Sequence, residues 1–120
     1  SYAMCVLEEM QWISARAIHA AEFFHGTLEL VVDDTSVILM KGEDETRPLM
    51  DRVERFAEQY TKKLSVFDTA DYPLEGINPK FNKYLSTIKI CAMFEVLSTH
   101  LEKERNHSLD LRRYYRVIEY

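Results

Sequence analysis

Apolar side chains recur every three or four positions through the first stretch of the chain, at Val6, Met10, Ile13, Ala17, Ala20 and Phe24. That is the period of an α-helix, and it predicts a helix over residues 3–25 with Gly26 as its stop signal. Leu7, Ile18 and Phe23 widen the apolar stripe, so this helix should be covered on more than one side. Between Leu28 and Met40 the period shortens to that of a strand. Two β-rich runs flank the polar cluster Asp33-Asp34-Thr35-Ser36, which predicts a β-hairpin over residues 27–41. The second arm is apolar on both faces and should be the better covered strand.

Helical spacing resumes after the hairpin. Thr46 as N-cap and Pro48 in the first turn predict a helix over residues 47–65, with Leu49, Val53, Phe56, Ala57, Tyr60 and Leu64 on one face. Pro73 and Gly76 then interrupt the pattern, leaving a loop over residues 66–78. Asn78 followed by Pro79 marks the start of a helix over residues 79–105. It carries two apolar stripes, one through Phe81, Leu85, Ile88 and Val96, the other through Ile90, Phe94 and Leu101, which predicts burial between two layers. Residues 108–120 form a tail element, a helix capped by Ser108 or a strand through the β-forming run at its end; the helix is preferred. The fold class expected is α+β and predominantly helical, in a single globular domain. Three long helices have a β-hairpin inserted between the first and second, and a short C-terminal helix or strand closes the chain.

Composition adds limits to this picture. The chain has 120 residues, 47% of them hydrophobic, with only three Gly and three Pro, so one mostly regular globular domain is expected. No apolar run approaches the roughly 20 residues needed to span a bilayer. The beginning of the chain carries Glu8 and Glu9 and no basic segment, unlike a secretory signal. A cytoplasmic protein with no membrane contact is expected. Cys5 and Cys91 fall inside apolar patterns and read as buried, reduced thiols.

The net charge is −5, unevenly spread: −4 over residues 1–42, −4 over residues 43–79 and +3 over residues 80–120. An acidic front and a basic tail favour a polarised contact with another protein. Asp33, Asp34, Glu43, Asp44 and Glu45 are the candidate acidic surface for a basic partner. A homodimer is the simplest cover for the second apolar face of the third helix and for an unfinished two-stranded sheet.

Three further constellations carry possible chemistry. Glu22-Phe-Phe-His25 and Glu104-Arg-Asn-His107 repeat a Glu-x-x-His spacing, which places both side chains on one helix face, as in bundles that hold paired metal ions. His25 beside Gly26 also suits a simpler role at a helix C-terminus. His19 and His100 have no nucleophile placed beside them by sequence. Arg112, Arg113 and Arg116 alternate with Tyr115 and its neighbour Tyr114, a pairing that can bind a nucleic-acid strand by charge and stacking. Three arginines neutralise few phosphates, and the acidic remainder repels the same partner, so nucleic acid is disfavoured; those arginines are better read as pairing with the acidic front. There is no Gly-rich phosphate loop and no dinucleotide fingerprint, so no cofactor is expected.

The preferred reading is a non-enzymatic, small acidic protein-binding module of the inhibitor, immunity or anti-defence kind. The alternatives are a metal-binding helical protein or enzyme using Glu22, His25, Glu104 and His107, and a nucleic-acid accessory protein using the tail.

Overall fold

A computed structural model describes residues 1–119. Its contacts divide the chain into two compact units: residues 18–92, and residues 1–17 together with the chain from Met93 onward.

The unit of residues 18–92 is built on strand β1 (Ser36–Lys41), helix α2 (Arg47–Tyr60) and strand β2 (Lys63–Asp68), preceded by a single helical turn, α1 (Ala20–Phe23). The strands pair in parallel, with Ser36 opposite Lys63 and Lys41 opposite Asp68. The expected hairpin is therefore absent, and the fold is a small α/β arrangement in place of three long helices with a hairpin. Parallel strands need a crossover, and α2 supplies it. The apolar run Val37–Met40 forms the strand, but cover is one-sided, with Leu39 buried and Ile38 exposed on the opposite face. Its partner is Lys63–Asp68, a segment the helical spacing had assigned partly to the second helix and partly to the loop.

The residues expected as the first hairpin arm instead form a 3-10 turn, Thr27–Leu30. Thr35 Oγ1 accepts from Val32 N (2.9 Å) and donates to Leu30 O (3.2 Å), which closes this segment on itself. Helix α2 ends at Tyr60, not at residue 65. Thr61 is extended there, and its hydroxyl donates to Thr35 O at 2.5 Å, tying the chain to the start of β1. The apolar core of this unit is small: Phe23, Leu39 and Val53 are buried, with Phe24 and Phe56 packed edge-on around them.

Polar contacts do much of the remaining work at the carboxyl ends of the two strands. Lys41, almost fully buried, lies 2.8 Å from Asp51 and 2.5 Å from Glu54, and 3.7 Å from Asp68. Arg47 donates to both oxygens of Asp68, at 2.9 and 2.5 Å, and to Gly42 O. Burial pulls the Lys41 ammonium down, but Asp51 and Glu54 outweigh it and hold it above the usual lysine value.

Helix α3 (Asn82–Glu104) follows a 3-10 turn at Pro79–Phe81, where Asn78 Oδ1 accepts from Lys80 N. Its first half belongs to this unit and its second half to the other. The expected burial between two layers does not occur: Phe81, Tyr84, Ile88 and Val96 are exposed, and the buried residues of α3 are Ser86 and Lys89. Lys89 Nζ donates to Glu43 Oε2 (2.8 Å) and to Thr69 O (3.1 Å), and Ser86 Oγ accepts from Glu43 N (2.9 Å). Gly42 permits this approach, because a Cβ there would stand 3.3 Å from Ser86 Cβ and 3.2 Å from Asp44 Oδ2.

In the other unit the expected helix over residues 3–25 is broken. Residues Ala3–Glu8 are π-helical. The turn then widens: Gln11 N donates to Val6 O and Ile13 N to Leu7 O. Trp12 takes a left-handed φ of 56°, and the chain leaves the helix. Residues 108–119 are neither helix nor strand but a series of turns, and Tyr120, the last residue of the expected tail element, lies outside the described residues. The turns are fastened by side chains: Arg112 donates to Glu9 (3.0 Å) and to the carbonyls of Leu109 and Leu111.

Both cysteines are unpaired; Cys91 is exposed and Cys5 half-buried, so neither is the buried thiol expected. Among the described residues no helix is long and apolar enough to cross a membrane.

Two expectations follow for stability. The Lys89 ammonium holds the Glu43 carboxyl below the usual range, against burial, and Arg47 does the same for Asp68. A depressed folded-state value stabilises the fold above the unfolded value, about pH 4. That contribution is lost as pH falls through the folded-state values. Lys89→Met strands Glu43, half-buried, without its cation. It should cost about 3–5 kcal/mol at neutral pH, and part of the loss should return as acid protonates Glu43. The double variant Lys89→Met with Glu43→Gln should recover most of it. Denaturant unfolding between pH 5 and 8 checks this, and equal stability of Lys89→Met and the parent would refute it. Gly42→Ala should cost about 1–3 kcal/mol by overpacking against Ser86, seen as a lower denaturant midpoint at unchanged slope.

Candidate functional site

Open parallel sheets bind ligands beyond the carboxyl ends of their strands, so the cluster at Lys41, Glu43, Asp68 and Lys89 is the first place to look. Its charges are already matched. Lys41 and Arg47 answer Asp51, Glu54 and Asp68, and Lys89 answers Glu43. Asn82 Nδ2 also donates to Glu43 Oε1 at 2.8 Å. One polar atom is left over, the Thr69 hydroxyl. It adds weakly to the depression of the Glu43 carboxyl yet closes no hydrogen bond of ordinary geometry. A cluster so fully paired holds structure and leaves little for a ligand.

The second place is an open cleft of about 510 Å³ in the unit formed by the two ends of the chain. Glu8, Glu9, Trp12 and Ile13 line one wall, and Arg112, Arg113, Tyr114 and Tyr115 line the other. It is shallow and open to solvent and does not enclose a cavity.

The cleft is positioned by the broken helix. Gln11 has no solvent exposure; its Nε2 donates to His107 O at 2.8 Å, and its carbonyl accepts from Arg105 Nη2 at 3.2 Å. With Gln11 held at both ends, the next residue is forced over the rim. A bulky residue at positive φ is strained by about 1–3 kcal/mol, and Trp12 bears that strain. His107 packs edge-on to the indole, with centroids 4.4 Å apart, and the Arg113 guanidinium lies 4.0 Å over it. Tyr2 stacks on Phe94 at 3.8 Å and shares a hydrogen bond with Ser98, which secures the π-helical segment against α3. π-helical turns are frequent at functional sites.

The two arginines of the cleft differ. Arg112 is committed to Glu9 and to two carbonyls. Arg113 has no hydrogen bond or ion pair among the described residues, only its stacking on Trp12. Glu9 gives one oxygen to Arg112, and Glu8 gives one to Ala15 N. Each carboxylate keeps a second oxygen for a ligand.

The other residues singled out by sequence are dispersed. Glu22 and His25 belong to one unit, Glu104 and His107 to the other. Among the described residues no group of three or more His, Cys, Asp and Glu side chains gathers to hold a metal. His107 is instead spent on the indole of Trp12. Of the acidic candidates, Glu43 faces inward to Lys89, Asp44 accepts from Thr46, Glu45 pairs with Lys83 and Asp33 with Lys62. Asp34 is exposed. Four of the five thus have partners within the chain, two of them, Asp33 and Glu45, in exposed ion pairs. In the tail, Arg112 is tied to Glu9 and Arg116 lies over Tyr115 at 5.2 Å, so the basic stripe is broken up by internal contacts. Arg113 and Tyr115 line the cleft. Glu9 and Trp12 were not singled out as functional by sequence; a lone Trp inside an apolar pattern reads as core, and only the turn at Gln11 brings it to the rim.

No family model matches the chain. It is 42% identical over 120 residues to the fructosamine deglycase of Bacillus subtilis, covering 100% of this chain and 37% of that protein. It is 31% identical over 115 residues to the fructoselysine 6-phosphate deglycase of Escherichia coli, covering 95% of this chain and 32% of that protein. A crystal structure from Bacillus subtilis, provisionally assigned as a phosphosugar isomerase, superposes with a TM-score of 0.94 at 41% identity, covering 99% of this chain and 36% of that one. The chain thus spans about a third of the length of the relatives it matches. These relatives overturn the expectation of a protein-binding inhibitor, immunity or anti-defence module: the proteins this chain resembles carry names of enzymes acting on sugars.

Proposed function

We propose that this chain forms part of an enzyme that handles sugar–amine adducts and their phosphates. The observation that carries this reading is the 42% identity, along the whole chain, to a fructosamine deglycase. The two activities named among the relatives share one chemical step. Releasing an amine from C1 of a ketose requires a proton to move from C1 to C2 while the nitrogen gives up its proton and the C2 oxygen gains one, which turns the C1–N single bond into an imine and the C2 carbonyl into a hydroxyl. Water then adds to the imine, the amine leaves, and the sugar returns as an aldose. An aldose–ketose isomerase makes the same proton shift between neighbouring carbons.

That step needs a base beside the sugar, and a carboxylate is suited to it. Glu9 is the best placed in the cleft. Arg112 fixes one of its oxygens at 3.0 Å, which orients the other without occupying it. Trp12 and the two tyrosines offer flat apolar surfaces on which a sugar ring or an alkyl stem can rest. Unpaired cysteines fit a reducing compartment, and on that ground the cytoplasm is the proposed location.

Glu9→Gln retains the contact to Arg112 and removes the base. It should slow amine release from a fructosamine 6-phosphate adduct by about 10²–10⁴-fold with adduct binding retained. Release measured as free amine under single-turnover conditions checks this, and an unchanged rate in the variant would rule Glu9 out as the base.

A further inference from the structure

We propose that the outer edge of β1 and the sheet face through Ile38, Met40 and Phe67 form a docking surface. Its occupant is one further parallel strand and a covering helix, from the part of an enzyme of the relatives' length that this chain does not match. This does not depend on the sugar–amine reading above.

The first ground is a sheet covered on one side. The strand register sets Leu39 beside Val66 and Lys41 beside Asp68 on one face, and Ile38 beside Ser65 and Met40 beside Phe67 on the other. Helix α2 packs on the first face, where Val53 joins Leu39 in the core and Asp51 and Glu54 meet Lys41. On the second face Ile38 and Ser65 are exposed, and Met40 and Phe67 are only half-buried. Parallel sheets occur almost only with both faces covered, and two strands alone are marginal in water. The apolar side chains of the second face therefore call for a layer of their own.

The second ground is a difference between the two edges. Neither strand has a backbone hydrogen bond on its outer edge among the described residues. Their side chains are not alike. Val37-Ile38-Leu39-Met40 is an unbroken apolar run, the pattern of a strand inside a parallel sheet. In β2 the apolar positions are interrupted, with Lys63 and Ser65 exposed, and charged or polar side chains on an outer strand guard a sheet against stray pairing. By that pattern β1 is an inner strand and β2 a true edge. A third strand thus belongs beside β1, on the side away from β2.

The occupant follows from length. The Bacillus subtilis deglycase aligns with the whole of this chain, which accounts for 37% of it. The Bacillus subtilis crystal structure superposes with a TM-score of 0.94, again over 36% of its length. The same strand pair is thus held there within a much longer chain, which has ample residues for a neighbouring strand and a second helical layer.

The test compares two settings: this chain alone, and a chimera in which it replaces the matched 37% of the Bacillus subtilis deglycase. Amide hydrogen exchange is followed along both strands, and melting temperature is measured for the parent and for Ile38→Lys. In the chimera, outer-edge amides of β1 should gain protection of about 100-fold or more over the isolated chain, and those of β2 should not. Ile38→Lys should move the melting temperature of the isolated chain by no more than about 3 °C, because the side chain is exposed. It should lower that of the chimera by about 6 °C or more, because an unpaired charge is then buried. Protection gained on β2 in place of β1, an equal effect of Ile38→Lys in both settings, or a chimera that does not fold overturns the proposal. So does self-association of the isolated chain that protects β1 and is lost in Ile38→Lys, which makes a second copy the occupant.

Discussion

The amide of Gln11 is the small contact on which the cleft depends. Its nitrogen is bound to a carbonyl at the start of the tail, and its own backbone carbonyl is held by Arg105. A side chain with no exposure to water and these two anchors cannot relax, so the strain of the turn is moved to the next residue. Trp12 is turned outward at positive φ, where an unconstrained indole in an apolar pattern would turn in. The aromatic surface of the cleft is thus a consequence of polar anchoring, one residue away.

The unit of residues 18–92 follows a related logic with ions in place of amides. Its apolar core is confined to Phe23, Leu39, Val53 and their neighbours, and the carboxyl ends of the strands are closed by Lys41, Arg47, Asp68, Glu43 and Lys89. Buried ion pairs add little net stability, since desolvation offsets their attraction. Their effect is on geometry: each cation has a required position, and the helix that carries Lys89 must come close to Gly42 to reach it. The same pairing explains why this end of the sheet, the usual ligand position in open parallel sheets, offers so little free chemistry here.

The cleft shows the opposite balance. Its ion pair, Glu9 with Arg112, uses only one carboxylate oxygen, and its second arginine is held by stacking alone. Groups that are oriented without being consumed are what binding and proton transfer require. That contrast, more than volume, separates the candidate site from the structural clusters elsewhere in the chain.

Local pattern alone determined several features of this protein. The helical spacing from Arg47 to Tyr60 and across α3 is realised, and the apolar run at Val37–Met40 is a strand. The pairing of basic tail with acidic front is present in Arg112 and Glu9. What only the tertiary structure decided is partnership. A strand's own residues do not say whether its neighbour runs parallel or antiparallel, and Lys63–Asp68 was hidden at the end of a helical period. The first twenty-five residues satisfy a helix period throughout, but the fixing of Gln11 by His107 and Arg105 outweighs a preference worth only tenths of a kcal/mol per residue. The cleft lies between segments about a hundred positions apart in sequence. No local pattern encodes such a meeting, because the hydrogen bonds and ion pairs that enforce it exist only once the chain has folded.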